Sequence, residues 1–240
     1  MIPLDLLKKY NLPENQATDA IETAITRVLS KAFGTDFLVR VQNSLEIFTL
    51  PAPDAPLRRI DAASLSRQLQ RKVRFQIERE LEKRQALHEW ETLSALRGRP
   101  VSGEIRHISS SGDATVVLEM EDHFRRLALT GVCPARHLPP RERQTLAMGH
   151  MKTFLVTSVL PVMKNGSAKV LIRLSRTTKT LPEALLKEQT GEPSIRCVRR
   201  IAGAFSEIET KKNLPKETIR AVGNELKERI IVRIVEGQNT

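Results

Sequence analysis

Aromatic residues are scarce in this chain of 240 residues: seven Phe, one Trp and one Tyr make up 4% of it. The cores must therefore be built from Leu, Ile, Val and Ala, and stacking platforms for nucleobases are few. Cysteine is almost absent. Cys133 and Cys197 lie far apart without metal-ligand spacing, which points to two buried apolar thiols in a reducing compartment rather than a disulfide. No run of about 18 apolar residues occurs, so no membrane-spanning segment is expected. The opening Met1-Ile2-Pro3-Leu4-Asp5 lacks the basic stretch and apolar run of a secretion signal. These absences set the expectation of a cytoplasmic protein without a membrane partner.

Positive charge is plentiful. Lys and Arg number 39 against 28 Asp and Glu, a formal net charge of +11. An excess of that size favours a polyanionic partner, because each cation set on a phosphate releases a condensed counterion. A basic surface kept for solubility is the alternative. The length suffices for two or three small domains, each with a modest core.

Apolar spacing predicts an amphipathic helix over residues 13–33, through Ala17, Ala20, Ile21, Ala24, Ile25, Val28 and Leu29, with Gly34 as its stop. Strands are predicted over 36–41 and 45–50, joined as a hairpin at Asn43-Ser44, before a linker broken by Pro51, Pro53 and Pro56. A long helix should span 62–96 on a stripe of Leu65, Leu69, Val73, Ile77 and Leu81, continued roughly by Leu87, Trp90 and Leu93. Its many Arg, Lys and Glu lie mostly off that stripe and read as a solvated face with i,i+4 pairs. Five strands follow, over 101–108, 114–120, 124–130, 152–160 and 168–174. A Pro- and Arg-rich excursion occupies 133–150, and Lys164-Asn165-Gly166-Ser167 reads as a hairpin turn. A short helix over 181–188 precedes strands 195–201 and 205–210, a helix over 216–227 and a strand over 229–234.

The five-strand segment, from Arg99-Pro100-Val101-Ser102-Gly103-Glu104-Ile105 to Leu174-Ser175-Arg176-Thr177, resembles an RNA-binding OB barrel of the ribosomal protein S-one type. The closing strand–strand–helix–strand order suggests a KH-like module. Further likenesses lie in Leu12-Pro13-Glu14, Ala20-Ile21-Glu22-Thr23-Ala24, Val39-Arg40-Val41-Gln42 and Gln70-Arg71-Lys72-Val73-Arg74. Another is Ile219-Arg220-Ala221-Val222-Gly223-Asn224-Glu225-Leu226, followed by Glu228-Arg229-Ile230-Ile231-Val232. In this order and spacing, the chain resembles the NusA family of bacterial transcription elongation, termination and antitermination factors, as a shortened and diverged paralogue.

That resemblance implies an α+β protein of three parts. Residues 1–97 would form an RNA-polymerase-binding domain with a long connecting helix, 98–178 the OB-type barrel, and 179–240 a degenerate KH-like domain. It implies RNA polymerase, nascent RNA and other elongation factors as partners. The Gly-X-X-Gly loop that clamps RNA backbone in KH domains aligns with Asn213-Leu214-Pro215-Lys216. Pro215 offers no amide donor and fixes φ, so the clamp should be lost, while Lys211, Lys212 and Lys216 remain as point charges for phosphates.

On the barrel, the candidate RNA contacts are Arg106 and His107 at the end of the first strand, Phe124, Arg125 and Arg126 on the third, and Lys152. Phe124 is the one clear aromatic for stacking, yet burial in the core is the preferred reading for it. In the last module Arg199 and Arg220 join the lysines. Arg199 and Arg200 point to opposite strand faces, so at most one of them meets a given ligand. Arg136, His137, Arg141 and Arg143 either follow a phosphate backbone or form a solvated loop; the sequence leaves both open.

Catalysis finds little support. Glu119, Glu121, Asp122 and His123 read as a solvated hairpin tip rather than a metal site, and the five histidines are scattered. No phosphate-cradling glycine loop or nucleophile elbow occurs. The expectation is a non-enzymatic transcription factor without a cofactor. The alternatives are a free-standing post-transcriptional RNA-binding regulator and, less favoured, a nuclease.

Overall fold

The computed structural model describes residues 9–10, 12–41, 44–50, 57–119, 129–164 and 167–235. Over these residues the chain is a mixed α+β protein with five α-helices and three sheets. It falls into two compact units, one drawn from Met1–Thr92 with Pro161–Val170, the other from Leu93–Leu160 with Leu171–Thr240. No helix among the described residues is long and apolar enough to cross a membrane.

In the first unit, helix α1 (Glu14–Phe33) follows Pro13 and ends where Gly34 turns left-handed at φ +68° and donates its N–H to Ser30 O. Ala17, Ala20, Ile21, Ala24, Ile25 and Leu29 form its buried face. Strands β1 (Asp36–Val41) and β2 (Leu45–Leu50) pair antiparallel. The predicted turn residue Asn43 lies outside the described residues. A third strand, β3 (Arg58–Ile60), adds to β2 and is too short to carry a period-2 signal. The Glu22 carboxylate accepts the Val41 N–H at 2.7 Å, tying α1 to the end of β1.

Helix α2 (Arg67–Ser94) starts later than the sequence predicts. Asp61 caps a separate 3-10 turn, Leu65 is extended, and the helix begins afresh after Ser66, whose hydroxyl accepts the Leu69 N–H. Ile77 and Leu81 are fully buried against α1 and the small sheet, with Leu65, Leu69 and Val73 partly buried beside them. Each such residue contributes on the order of 1.5–3 kcal/mol. Leu87 departs from the expected stripe: it is 45% exposed, and Ala86 is buried instead. Salt bridges Arg84–Asp19 and Arg27–Glu80 link α2 to α1.

Strands β4 (Pro100–Ile108), β5 (Ala114–Leu118), β6 (Thr130–Cys133), β7 (Met151–Lys164) and β8 (Ser167–Ser175) close on themselves in the order β4-β5-β6-β8-β7, all within the second unit but for the stretch of β7 and β8 from Pro161 to Val170. Strand β4 pairs antiparallel with β5 and with β7, β5 pairs antiparallel with β6, and β6 runs parallel to β8. The third strand begins at Thr130, where the predicted one ended; Phe124, Arg125 and Arg126 lie outside the described residues. Gly103 and Gly131 let the walls approach closely. A Cβ at Gly103 would stand 2.6 Å from a Val116 methyl and 2.7 Å from Val117 O. Strand β7 runs on through Pro161 to Lys164, beyond its predicted end at Leu160. Its pairing with β4 involves only Met151–Leu155, so the proline's missing N–H is not needed there.

The excursion between β6 and β7 is ordered. It holds a 3-10 turn (Ala135–His137) and helix α3 (Pro140–Thr145), started by Pro140 at the first helical position. Helix α4 (Leu181–Thr190), strands β9 (Arg196–Ile201) and β10 (Phe205–Thr210), helix α5 (Lys216–Leu226) and strand β11 (Arg229–Ile234) complete the unit. Strand β10 is central, antiparallel to β9 and parallel to β11. Leu181, Leu185, Leu186, Cys197, Ile208 and Leu226 share the core beneath it.

Candidate nucleic-acid interface

Alternation along the barrel strands decides which side chains look outward. Ala114, Val116, Leu118, Cys133, Ile172 and Leu174 are buried, so Thr115, Val132 and Arg173 face out. Their register aligns His107 with Thr115, Thr115 with Val132, and Val132 with Arg173, one rank across four strands. At its end a cleft of about 440 Å³ is lined by Asp113, Val132, Pro134, Arg136, Leu171 and Arg173. Neither arginine forms an ion pair among the described residues. Burial, then the Arg136 and Arg173 guanidiniums, lower the His137 pKa below its usual range. Consistent with a neutral imidazole, His137 Nε2 accepts a hydrogen bond from Arg136 Nε at 3.3 Å.

The sequence found part of this rank. His107 belongs to it, and Arg106, also exposed, stands beside it with a loose 3.8 Å pairing to Glu104. Arg136 was one of two open readings, and the structure places it in the cleft. Arg173 was missed. Its signal was the alternation of Lys169, Leu171 and Arg173 against Val170, Ile172 and Leu174 in the last barrel strand. Lys152 is not brought to this surface. Paired with Gly103 and two residues before the fully buried Phe154, it shares the inward parity and is half-buried.

A second basic cluster surrounds the loop before α5. Lys211, Lys216 and Arg220 are exposed, and Arg220 borders a groove of about 490 Å³ with Ile219, Gly223, Asn224, Lys227 and Ile230. Two amides at the start of the loop are in use: Lys211 N–H donates to Ser194 Oγ and Lys212 N–H to Thr210 Oγ1. Leu214 is buried and Pro215 has no N–H, so the loop is fastened to the domain instead of being presented to a phosphate. Lys212 Nζ is 3.1 Å from Glu192. Hydrogen bonds from Ser194 and Lys212 lower the Glu192 carboxyl to about 2. Arg199 is exposed and stacks over Phe205 at 5.4 Å, opposite in register to Glu207. That face is the one away from buried Ser206, Ile208 and Thr210, so Arg199 is not grouped with Lys216 and Arg220.

Two arginines are deeply buried. Arg176, in the Leu-Ser-Arg-Thr stretch, is 1% exposed and clasps Glu142 of α3. It also donates to Thr153 O, Glu225 O and Glu225 Oε1. Arg200 pairs with Glu228, both side chains essentially inaccessible, and donates to Thr178 O and Arg176 O. These residues join barrel, α3, β9 and α5 and cannot reach a ligand. No protein-family model matches the chain, and no curated protein matches it.

Proposed function

We propose that this chain is a non-enzymatic, cytoplasmic transcription factor that docks on RNA polymerase and touches nascent RNA, modulating pausing, termination or antitermination. The observation that carries the RNA part is the outward rank His107–Thr115–Val132–Arg173 with Arg136 at its end. The closed order β4-β5-β6-β8-β7 supports reading the barrel as OB-type, in which the second and third strands and the loop joining the first two form the nucleic-acid face. Here those are β5, β6 and residues 109–113, of which Asp113 and Val132 line the cleft. The β9-β10-α5-β11 order supports a KH-like module that has given up its backbone clamp and keeps exposed cations.

Contacts of this kind are electrostatic and individually weak. Attachment to polymerase raises the local concentration of transcript, so weak contacts count. The polymerase-docking role of the first unit rests on the family resemblance of its residues. A free-standing RNA regulator would use the same cleft, and retention on purified polymerase separates the two.

The test is salt-titrated fluorescence anisotropy with single-stranded RNA, using the full chain and the double variant Arg136→Gln/Arg173→Gln. The expected result is a shallower salt dependence and weaker binding for the variant. Identical curves for the two proteins would remove the cleft from the RNA surface.

A further inference from the structure

Asp113 sets the cleft apart from a plain phosphate track. A carboxylate and two guanidiniums line one small space, yet no ion pair joins Asp113 to Arg136 or Arg173 among the described residues. Asp113 is locked in place. Its Oδ1 accepts the Ala135 N–H at 2.8 Å, its own N–H donates to Ser109 Oγ, and its carbonyl accepts the Ser109 N–H. Its second carboxylate oxygen has no partner among the described residues. The cleft thus offers a fixed acceptor and separate donors, with the apolar surfaces of Val132, Pro134 and Leu171 alongside.

We infer that this cleft takes one guanine base of the bound RNA, with the Asp113 carboxylate on its N1–H and N2 amino group and an arginine on O6 and N7. This rests on the RNA reading above and names what that surface selects. Guanine is the base that sets two adjacent donors on one edge and two acceptors on another, matching a carboxylate and a guanidinium together. Uracil presents carbonyl oxygens on both sides of its single N–H, which a carboxylate repels. Adenine has one donor group and no O6. A backbone phosphate in the cleft would face the Asp113 charge, so phosphate is expected outside the cleft and base within. At about 440 Å³ the space lies within the range of ~300–1,000 Å³ typical of small-ligand sites.

The experiment measures anisotropy of labelled five-nucleotide RNAs, oligouridine with guanine, inosine, adenine or uracil at the centre, on the full chain. Central guanine should bind about tenfold or more tighter than adenine or uracil, with inosine between, since it lacks only the N2 amino group. Asp113→Asn keeps the oxygen that holds Ala135 and replaces the free one with a donor. It should cut the guanine preference to about twofold or less while the melting temperature stays unchanged. Equal affinity for all four RNAs, with Arg136→Gln/Arg173→Gln still weakening them, overturns the guanine assignment and leaves the RNA surface standing. A guanine preference that survives Asp113→Asn overturns the role of Asp113. No binding to any of the four at low salt overturns both.

Discussion

Arg176 and Glu142 meet as a doubly hydrogen-bonded ion pair, Nε to Oε2 at 2.6 Å and Nη2 to Oε1 at 2.7 Å, with side chains 1% and 4% exposed. The pair fastens α3 to the exit of the barrel. Through Glu225 the same guanidinium reaches α5, whose carboxylate also accepts the Thr153 N–H. Most of the guanidinium's donors are thereby satisfied inside the protein, which is what permits a charge to be buried at all.

Removing one partner of this pair strands the other. Glu142→Ala should destabilise the second unit by about 3–5 kcal/mol, read as a melting-temperature drop on the order of 10 °C by circular dichroism. Glu104→Ala, which removes the exposed and loose partner of Arg106, should change stability by less than about 1 kcal/mol. Equal effects of the two substitutions would contradict the structural role of Arg176.

Glu228 makes stability depend on acid pH. Burial pushes its carboxyl up, but hydrogen bonds from Arg200, Ser206 and Gly203 and the Arg200 charge outweigh that and lower its pKa below 4.5. The folded-state value thus lies below the unfolded one. Its stabilisation is present in full above about pH 4.5 and is lost as pH falls through the folded value. Glu228→Gln should lower the melting temperature at pH 7 and flatten its decline between pH 5 and 3, read in a melting series across that window. An acid limb as steep as in the unsubstituted chain would speak against the pair.

Most elements were legible because their signals are local. Helix α1 shows its stripe between Pro13 and Gly34, and β11 carries the β-branched run Ile230-Ile231-Val232; the bounds of β10 and β11, Phe205–Thr210 and Arg229–Ile234, match the sequence prediction. The three-residue β3 and six-residue α3 are too short to show a period. The site was legible in part. His107 ends a recognisable strand, but Arg173 joins it only through cross-strand register, which a sequence does not print. The buried arginines were hidden for the opposite reason. A lone Arg is ordinarily a surface residue, and Arg176 and Arg200 are interior only because Glu142 and Glu228 arrive from distant segments.

Cys133 is fully buried, donates its S–H to His137 O, and burial pushes its thiol up to about 12. Cys197 is buried too, with its thiol raised chiefly by burial. Neither should react with a thiol reagent at pH 8 in the native protein, and both should react at once in denaturant. Rapid native labelling of Cys133 would show that the strand β6 region opens.

The loop lysines should differ from one another. Lys216→Gln should weaken RNA binding and reduce the salt slope by roughly 0.7, the value for one phosphate contact on a single strand. Lys212→Gln should do less, because Glu192 already holds that ammonium at 3.1 Å. Anisotropy titrations of each variant against one RNA check the order. Unchanged affinity on replacing Lys211, Lys212 and Lys216 together would remove this loop from the RNA surface.

In vitro transcription across a pause site and an intrinsic terminator tests the central claim most directly, with the full chain compared against Arg136→Gln/Arg173→Gln. The account predicts altered pause dwell times or read-through with the unsubstituted chain, and a diminished effect with the variant. Unaltered dwell times and read-through, with the protein demonstrably bound to polymerase, would contradict it.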